Sequence, residues 1–380
     1  MKKALLWGIF AVISALLLGC GASAKSDVIK IGVAGPLTGS QAKMGADIFN
    51  GVKLAVAQWN AKGGVLGKKI EIVGRDDEAK EPQAKTVAFE LINAGVVGVI
   101  GHFNSGCTIP ASEEYFRSKV PIITPSSTNP YVTDRKHWNI FRICGRDDAQ
   151  GERAAQYAVE KLKVQRAVVL HDKTAYGEGL AGCFKKAVEK LAKPGTVVYH
   201  GGIDKSETNF KPLLSTIKET NPDSVFFGGI YDQAGLLVLQ MRDMGINIPF
   251  ISGDGVIDPE YLKTAGKSAD NSFLTFPELL PFARGIYDKF PEARKFNDEY
   301  AAKFGTPGPY SLYAYDAANI LISSIHKAGT TDGEKLAEAI HTNEHNCCMG
   351  KIKFDDKGDI LGSFYAIWTV KDGTFEFVEK

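Results

Sequence analysis

Two hydroxyl-rich stretches stand where an open α/β sheet would use them. A strand expected over residues 96–100 runs into Gly101-His102-Phe103-Asn104-Ser105-Gly106-Cys107-Thr108, and one over 120–124 runs into Pro125-Ser126-Ser127-Thr128-Asn129. Ligands of such sheets bind at the carboxyl ends of the strands. Unpaired backbone N–H groups at a helix start, joined by serine and threonine hydroxyls, suit a carboxylate with no cationic side chain. Plain N-capping by Ser105 and Thr128 is the alternative. Further along, a strand over 167–170 leads into His171-Asp172-Lys173-Thr174-Ala175-Tyr176-Gly177, and Phe250-Ile251-Ser252-Gly253 leads into Asp254-Gly255. An ammonium group needs a carboxylate such as Asp254, and the Tyr176 ring adds apolar area and cation–π attraction. Taken singly, Asp254 before a glycine also suits a turn.

Signatures of catalysis are missing. Gly177-Glu178-Gly179-Leu180-Ala181-Gly182 satisfies G-x-G-x-x-G, but it does not sit directly on a strand end and no acid follows at the usual distance, so dinucleotide binding is not expected. His341, His345, Cys347 and Cys348 form the single metal-like cluster, and their spacing fits a surface turn better than any zinc pattern. There is no G-x-S-x-G elbow, C-x-x-C, H-E-x-x-H or Walker loop. No metal, cofactor or catalytic residue is therefore assigned.

The elements that must position these residues follow from periodicity. Residues 28–33 read as a first strand, ending in the turn Gly35-Pro36-Leu37-Thr38-Gly39. Met44, Ile48, Val52, Ala55, Val56 and Trp59 then fall on one face of a helix, which Asn60-Ala61-Lys62-Gly63-Gly64 stops. Strands over 69–73, 96–100 and 120–124 alternate with a helix opened by Pro82 and another over 111–117. A second series has strands over 167–170, 196–199, 224–228 and 250–253, with helices over 179–191, 210–220 and 233–244. Strands alternating with helices require right-handed crossovers and parallel sheets covered on both faces. Two series mean two α/β lobes. Helices over 291–304, 311–328 and 332–341 and strands over 351–354 and 364–370 form a tail to be shared between the lobes.

The chain has 380 residues, 45 Lys+Arg against 44 Asp+Glu, and is 44% hydrophobic. At about 150 residues per domain this length suggests two domains, each able to bury its own core. The near-zero net charge argues against a nucleic-acid binder, which needs clustered cations. Met1-Lys2-Lys3, an apolar run over 4–18 and small residues beyond it read as an export signal, since the run is short of the ~20 apolar residues of a membrane span. Two processing sites compete: Ala22-Ser23-Ala24, giving a signal peptide of 1–24, and Leu17-Leu18-Gly19-Cys20, giving one of 1–19 and a lipid on Cys20. Beyond Cys20 lie Cys107, Cys144, Cys183, Cys347 and Cys348, an odd number whose connectivity stays open.

From Ile29 to Trp368 the sequence resembles the periplasmic binding proteins of branched-chain amino-acid ABC transporters. The resemblance rests on Gly35-Pro36-Leu37-Thr38-Gly39, Asn60-Ala61-Lys62-Gly63-Gly64, Asp76-Asp77, Ile100-Gly101-His102, Ile123-Thr124-Pro125, His171-Asp172-Lys173 with Tyr176-Gly177-Glu178-Gly179, Gly228-Gly229, Gly253-Asp254-Gly255-Val256 and Phe354-Asp355-Asp356-Lys357-Gly358-Asp359. It implies the type I bilobal fold, two doubly wound parallel-sheet lobes joined by several hinge crossovers. The expected division is 27–145 plus 276–349 for the first lobe and 146–275 plus 350–380 for the second.

The same resemblance implies a solute receptor that closes over an amino acid, branched-chain or similarly apolar, and delivers it to a membrane permease and ATPase. It implies a monomer, periplasmic or lipid-anchored outside the cytoplasmic membrane. The family's carboxylate-binding serine falls on Ser105, its further hydroxyl and backbone donors on Ser126 and Thr128, its acid on Asp254 and its second-lobe aromatic on Tyr176. Phe103, Met44 and Ile230 complete the expected wall. Met44 and Ile230 stand where branched-chain binders carry tyrosines, and Asn104 stands where the family carries a first-lobe cysteine. The alternatives are a receptor of the same fold for an aromatic acid, amide or other small carboxylate, and an exported α/β enzyme.

Overall fold

The computed structural model describes residues 28–278, 280, 290–362 and 364–380. The expected export signal and Cys20 lie outside the described residues. In the first half, β1 (Val28–Gly35), α1 (Ala42–Ala61), β2 (Lys69–Asp76), α2 (Glu81–Asn93), β3 (Val99–Ile100), α3 (Ser105–Arg117), β4 (Ile122–Thr124), α4 (Tyr131–Asp134) and β5 (Ile140–Arg142) alternate. Their strands form a five-stranded sheet of order β2-β1-β3-β4-β5, parallel throughout. Met44, Ile48, Val52, Ala55 and Val56 make the buried stripe of α1, as their spacing requires. Gly101 has a φ of 141°, and a Cβ there would collide with the carbonyl of Ala34. Only glycine lets the loop after β3 lie directly on the end of β1.

The second half runs α5 (Asp147–Glu160), β6 (Ala167–His171), α6 (Ala175–Leu191), β7 (Val197–Gly202), α7 (Lys211–Glu219), β8 (Ser224–Gly228), α8 (Tyr231–Asp243), β9 (Phe250–Ser252), α9 (Pro259–Ala265) and β10 (Ser272–Phe276). The periodicity missed α5 because its buried face is built of Gly151, Ala154, Ala155 and Ala158, with Tyr157 alone supplying a large ring. Small residues let α5 pack tightly on α6; a Cβ on Gly151 would lie 2.7 Å from Cys183. Phe184 of α6 stacks on Phe226 of β8 with ring centroids 4.0 Å apart, closing the core on one face.

The tail is divided between the sheets. α10 (Pro291–Phe304), α11 (Ser311–Ala328) and α12 (Gly333–Thr342) pack with the first sheet, Trp59 of α1 donating to Asn319 of α11 at 2.9 Å. β11 (His345–Cys347) and β12 (Gly350–Ile352) form a small ribbon. β13 (Ala366–Lys371) and β14 (Thr374–Glu379) add antiparallel strands to the second sheet, whose order is β14-β13-β10-β9-β8-β6-β7. The expected boundary at 349/350 divides the ribbon, and Arg142 of β5 takes the Gly358 carbonyl at 2.8 Å and pairs with Asp359. Residues 350–359 therefore lie with the first sheet, and the chain joins the second sheet again only at β13. Among the described residues the chain leaves the first sheet after β5, is back beside it at α10, and has left it again by β13. No helix among the described residues is long and apolar enough to cross a membrane.

Candidate functional site

The hydroxyl-rich loops are built mainly out of each other. The His102 carbonyl accepts hydrogen bonds from Thr124 (3.0 Å), Ser127 (3.1 Å) and Thr108 (3.3 Å), and the Phe103 carbonyl from Ser126 and Ser127 (both 3.1 Å). Beneath them the fully buried His102 ring lies 2.7 Å from Asp77 and 3.3 Å from the Tyr115 hydroxyl. Arg142 reaches in from β5 and donates to the carbonyls of Ser127 (3.1 Å) and Asn129 (2.8 Å). Ser105 is not the cap of α3; Asn104 takes that position and its side chain goes to Gln41 at 2.8 Å. The Ser105 hydroxyl accepts from the Asn129 N–H at 3.2 Å, which leaves its own proton to donate. With the first amides of α3, it forms a small anion-accepting corner.

Across the cleft, β9 ends at Ser252 and the chain turns so that Asp254 is 2% exposed. Tyr176, at the start of α6, donates to one carboxylate oxygen at 2.8 Å, and Tyr310, just before α11, donates to the other at 2.7 Å. The Gly255 N–H donates to the Tyr176 oxygen at 3.1 Å and fixes that ring. Burial raises the Asp254 carboxyl above the usual carboxylate range, against the opposing pull of the Tyr310 and Tyr176 hydroxyls. Among the described residues no lysine, arginine or histidine pairs with this acid, which leaves it open to a positive charge entering the cleft.

Behind Asp254, Asp147 and Gln150 lie one turn apart on α5, both fully buried and without hydrogen-bond partners for their side-chain atoms among the described residues. Burial first, and the charge of Asp254 second, raise the Asp147 carboxyl.

An inner cavity of about 20 Å³ brings Phe103, Asn104, Ser105 and Ser126 of the first half together with Tyr176, Ile230, Asp254 and Gly255 of the second and Tyr310 of the tail. Water-sized space begins at ~10–15 Å³, so this arrangement is nearly filled and the two halves must part for a larger ligand. Six predicted residues meet here: Phe103, Ser105, Ser126, Tyr176, Ile230 and Asp254. Met44 and Thr128 do not. Met44 is fully buried in the core under α1, and Thr128 is fully buried, turned toward Asp147 without reaching hydrogen-bond geometry. Tyr310 was not foreseen; its sole signal is its place before the helix that periodicity found over 311–328. The five described cysteines are free, and no cluster of potential metal ligands occurs among the described residues. His345 instead sits 2.8 Å from the Ile340 carbonyl.

Residues 28–374 match the family model described as periplasmic binding protein. The chain belongs to this family. As a periplasmic binding protein it is 38% identical, over all of both chains, to the Leu/Ile/Val-binding protein homolog 2 of Brucella abortus. Its fold is that of a leucine binding protein of Thermotoga maritima (TM-score 0.83, 29% identity, 92% of this chain and 97% of that one). It is likewise that of the branched-chain amino acid transporter substrate binding protein of Streptococcus pneumoniae in complex with isoleucine (TM-score 0.81, 26% identity, 93% and 100%). The expected fold class, a type I bilobal receptor with two parallel sheets, holds. The second sheet is mixed at one edge, because β13 and β14 run antiparallel.

Proposed function

We propose that this periplasmic binding protein is the extracytoplasmic receptor of an ABC importer and binds an amino acid between its lobes. Ser105, Ser126 and the first amides of α3 receive the α-carboxylate, and Asp254, backed by Tyr176 and Tyr310, receives the α-ammonium. Phe103 and Ile230 supply apolar wall. The observation that carries the reading is the placement of one buried, cation-free acid opposite a corner of hydroxyl and amide donors within a single cavity. Kinship with Leu/Ile/Val-binding proteins and with a structure holding isoleucine supports an amino acid as the ligand class. The protein acts by binding, without catalysis, as a monomer delivering its ligand to a membrane permease and ATPase. Residues 1–24 direct its export, or 1–19 with a lipid on Cys20.

Titration calorimetry with leucine, isoleucine and valine tests the reading. Asp254→Ala removes a hydrogen bond to a charged group worth about 1.5–3 kcal/mol, and more if the ammonium is left buried and unpaired, so affinity falls at least about tenfold. Unchanged affinity in that variant would remove Asp254 from the site.

A further inference from the structure

Beside the inner cavity lies a much larger one of about 610 Å³, and the two share Asn104, Tyr176 and Ile230 in their walls. Once the halves part to admit a ligand at the inner cavity, this neighbouring space is the one next to it for the rest of the ligand's structure. Its polar lining is unbalanced. Lys80 is taken by Glu78 at 2.7 Å, Lys173 by Asp204 at 2.9 Å and Lys205 by the Ala79 carbonyl at 3.3 Å. Glu81, Asp172 and Asp232 line it as well, so five acids face three lysines.

Gln233 gives the sharper signal. Its side-chain nitrogen donates to the carbonyls of Asp204 (2.7 Å) and Glu207 (3.3 Å), which fixes the amide orientation. Its oxygen is therefore an acceptor, and it is buried without a partner on a residue only 6% exposed. The Asn104 side-chain oxygen on the shared wall is likewise buried and unpartnered. Buried polar atoms are nearly always satisfied, and what both oxygens require is a donor.

We propose that this chamber is a side-chain subsite for the hydrogen-bond-donating end of a ligand, an amide or a cationic group, with Gln233 and Asp232 as its specificity-determining residues. The proposal rests on the amino-acid reading above and narrows it: aliphatic side chains leave these acceptors unpaired, and side chains carrying N–H groups fill them. Its range is thus wider than Leu, Ile and Val.

Calorimetry on the full exported chain with leucine, glutamine, arginine and lysine provides the test. At least one of the three donor-bearing amino acids binds as tightly as leucine or tighter. Gln233→Met and Asp232→Asn each lower that ratio at least fivefold, with leucine affinity held within twofold. Asp232 is partly exposed, so its variant stands even if Gln233→Met fails to fold. Leucine binding tighter than all three, or a ratio that both variants leave in place, overturns the subsite and leaves the amino-acid reading intact. Absence of binding by all four compounds overturns both.

Discussion

The two walls of the cleft are made differently. On the first, most polar atoms are spoken for by their own neighbours, the Asn104 side-chain oxygen and the Thr128 hydroxyl excepted: the His102 and Phe103 carbonyls accept from the four hydroxyls of Thr108, Thr124, Ser126 and Ser127, the last shared between them, and Arg142 pins the 126–129 loop from below. On the second, Asp254 lacks a cationic partner, and Asp147 and Gln150 behind it are buried without hydrogen bonds among the described residues. A satisfied wall is rigid and ready for an anion. An under-satisfied one stores unfavourable electrostatics, which on the reading proposed above an incoming cation relieves, concentrating the energy of recognition on the second lobe.

Breaking the rigid wall costs most. Arg142 is fully buried and pairs with Asp359 at 2.6 Å. Replacing it with methionine leaves two loop carbonyls and a buried acid short of a donor, and destabilises the protein by about 3–5 kcal/mol in urea unfolding. Loss below 1 kcal/mol would mean that Arg146, which also reaches Asp359 at 2.7 Å, takes over.

Varying pH sharpens the contrast, because the raised Asp254 carboxyl acts with opposite signs on two measurements. In the unliganded protein the folded state binds the proton more tightly than the unfolded one, so this group's contribution to stability is present at low pH and lost as pH rises through its folded pKa. Ligand ammonium needs the ionised form, so affinity falls as pH falls, beginning above the ~3.9 of an ordinary aspartate. Calorimetry between pH 4.5 and 8 reads the second effect, and Ser105→Ala, on the other wall, leaves its midpoint unmoved. Tyr310→Phe removes a donor that favours the ionised acid, and moves that midpoint up.

The smallest effect concerns the rim, where Lys43 of the first lobe lies 2.7 Å from Asp47 and 3.2 Å from Asp258 of the second. Asp258 is buried and also accepts the Glu260 N–H at 2.8 Å, but the lysine end is one-third exposed and screened by solvent, so the cross-cleft pair contributes under about 1 kcal/mol. Asp258→Asn weakens ligand affinity about twofold at low salt and not at all at high salt; an equal loss at both would assign Asp258 a role other than charge pairing.

Strand-end loops were legible in the sequence because apolar runs and the residues that follow them are local signals. That is why 101–108, 125–129, 171–177 and 254–255 were found. Which way a side chain turns from such a loop is decided by packing, and so Ser126 faces the cavity whereas Thr128, two residues on, is buried behind it. Tyr310 meets Asp254 from 56 residues away, and Asp359 meets Arg142 from 217, distances across which no spacing rule operates. The same holds for β5, β10 and β14, short strands recognisable once their sheet partners are known, and for α5, whose alanine-lined face carries little periodic signal.

The three passages of backbone between the sheets have a mechanical meaning. One tether would let the lobes swivel freely, whereas several tethers oppose twist between them. On the reading proposed above, each closure would return Ser105 and Asp254 to the same mutual offset, and the receptor would work as a caliper that gauges the span between a solute's negative and positive ends before anything else about the solute is read.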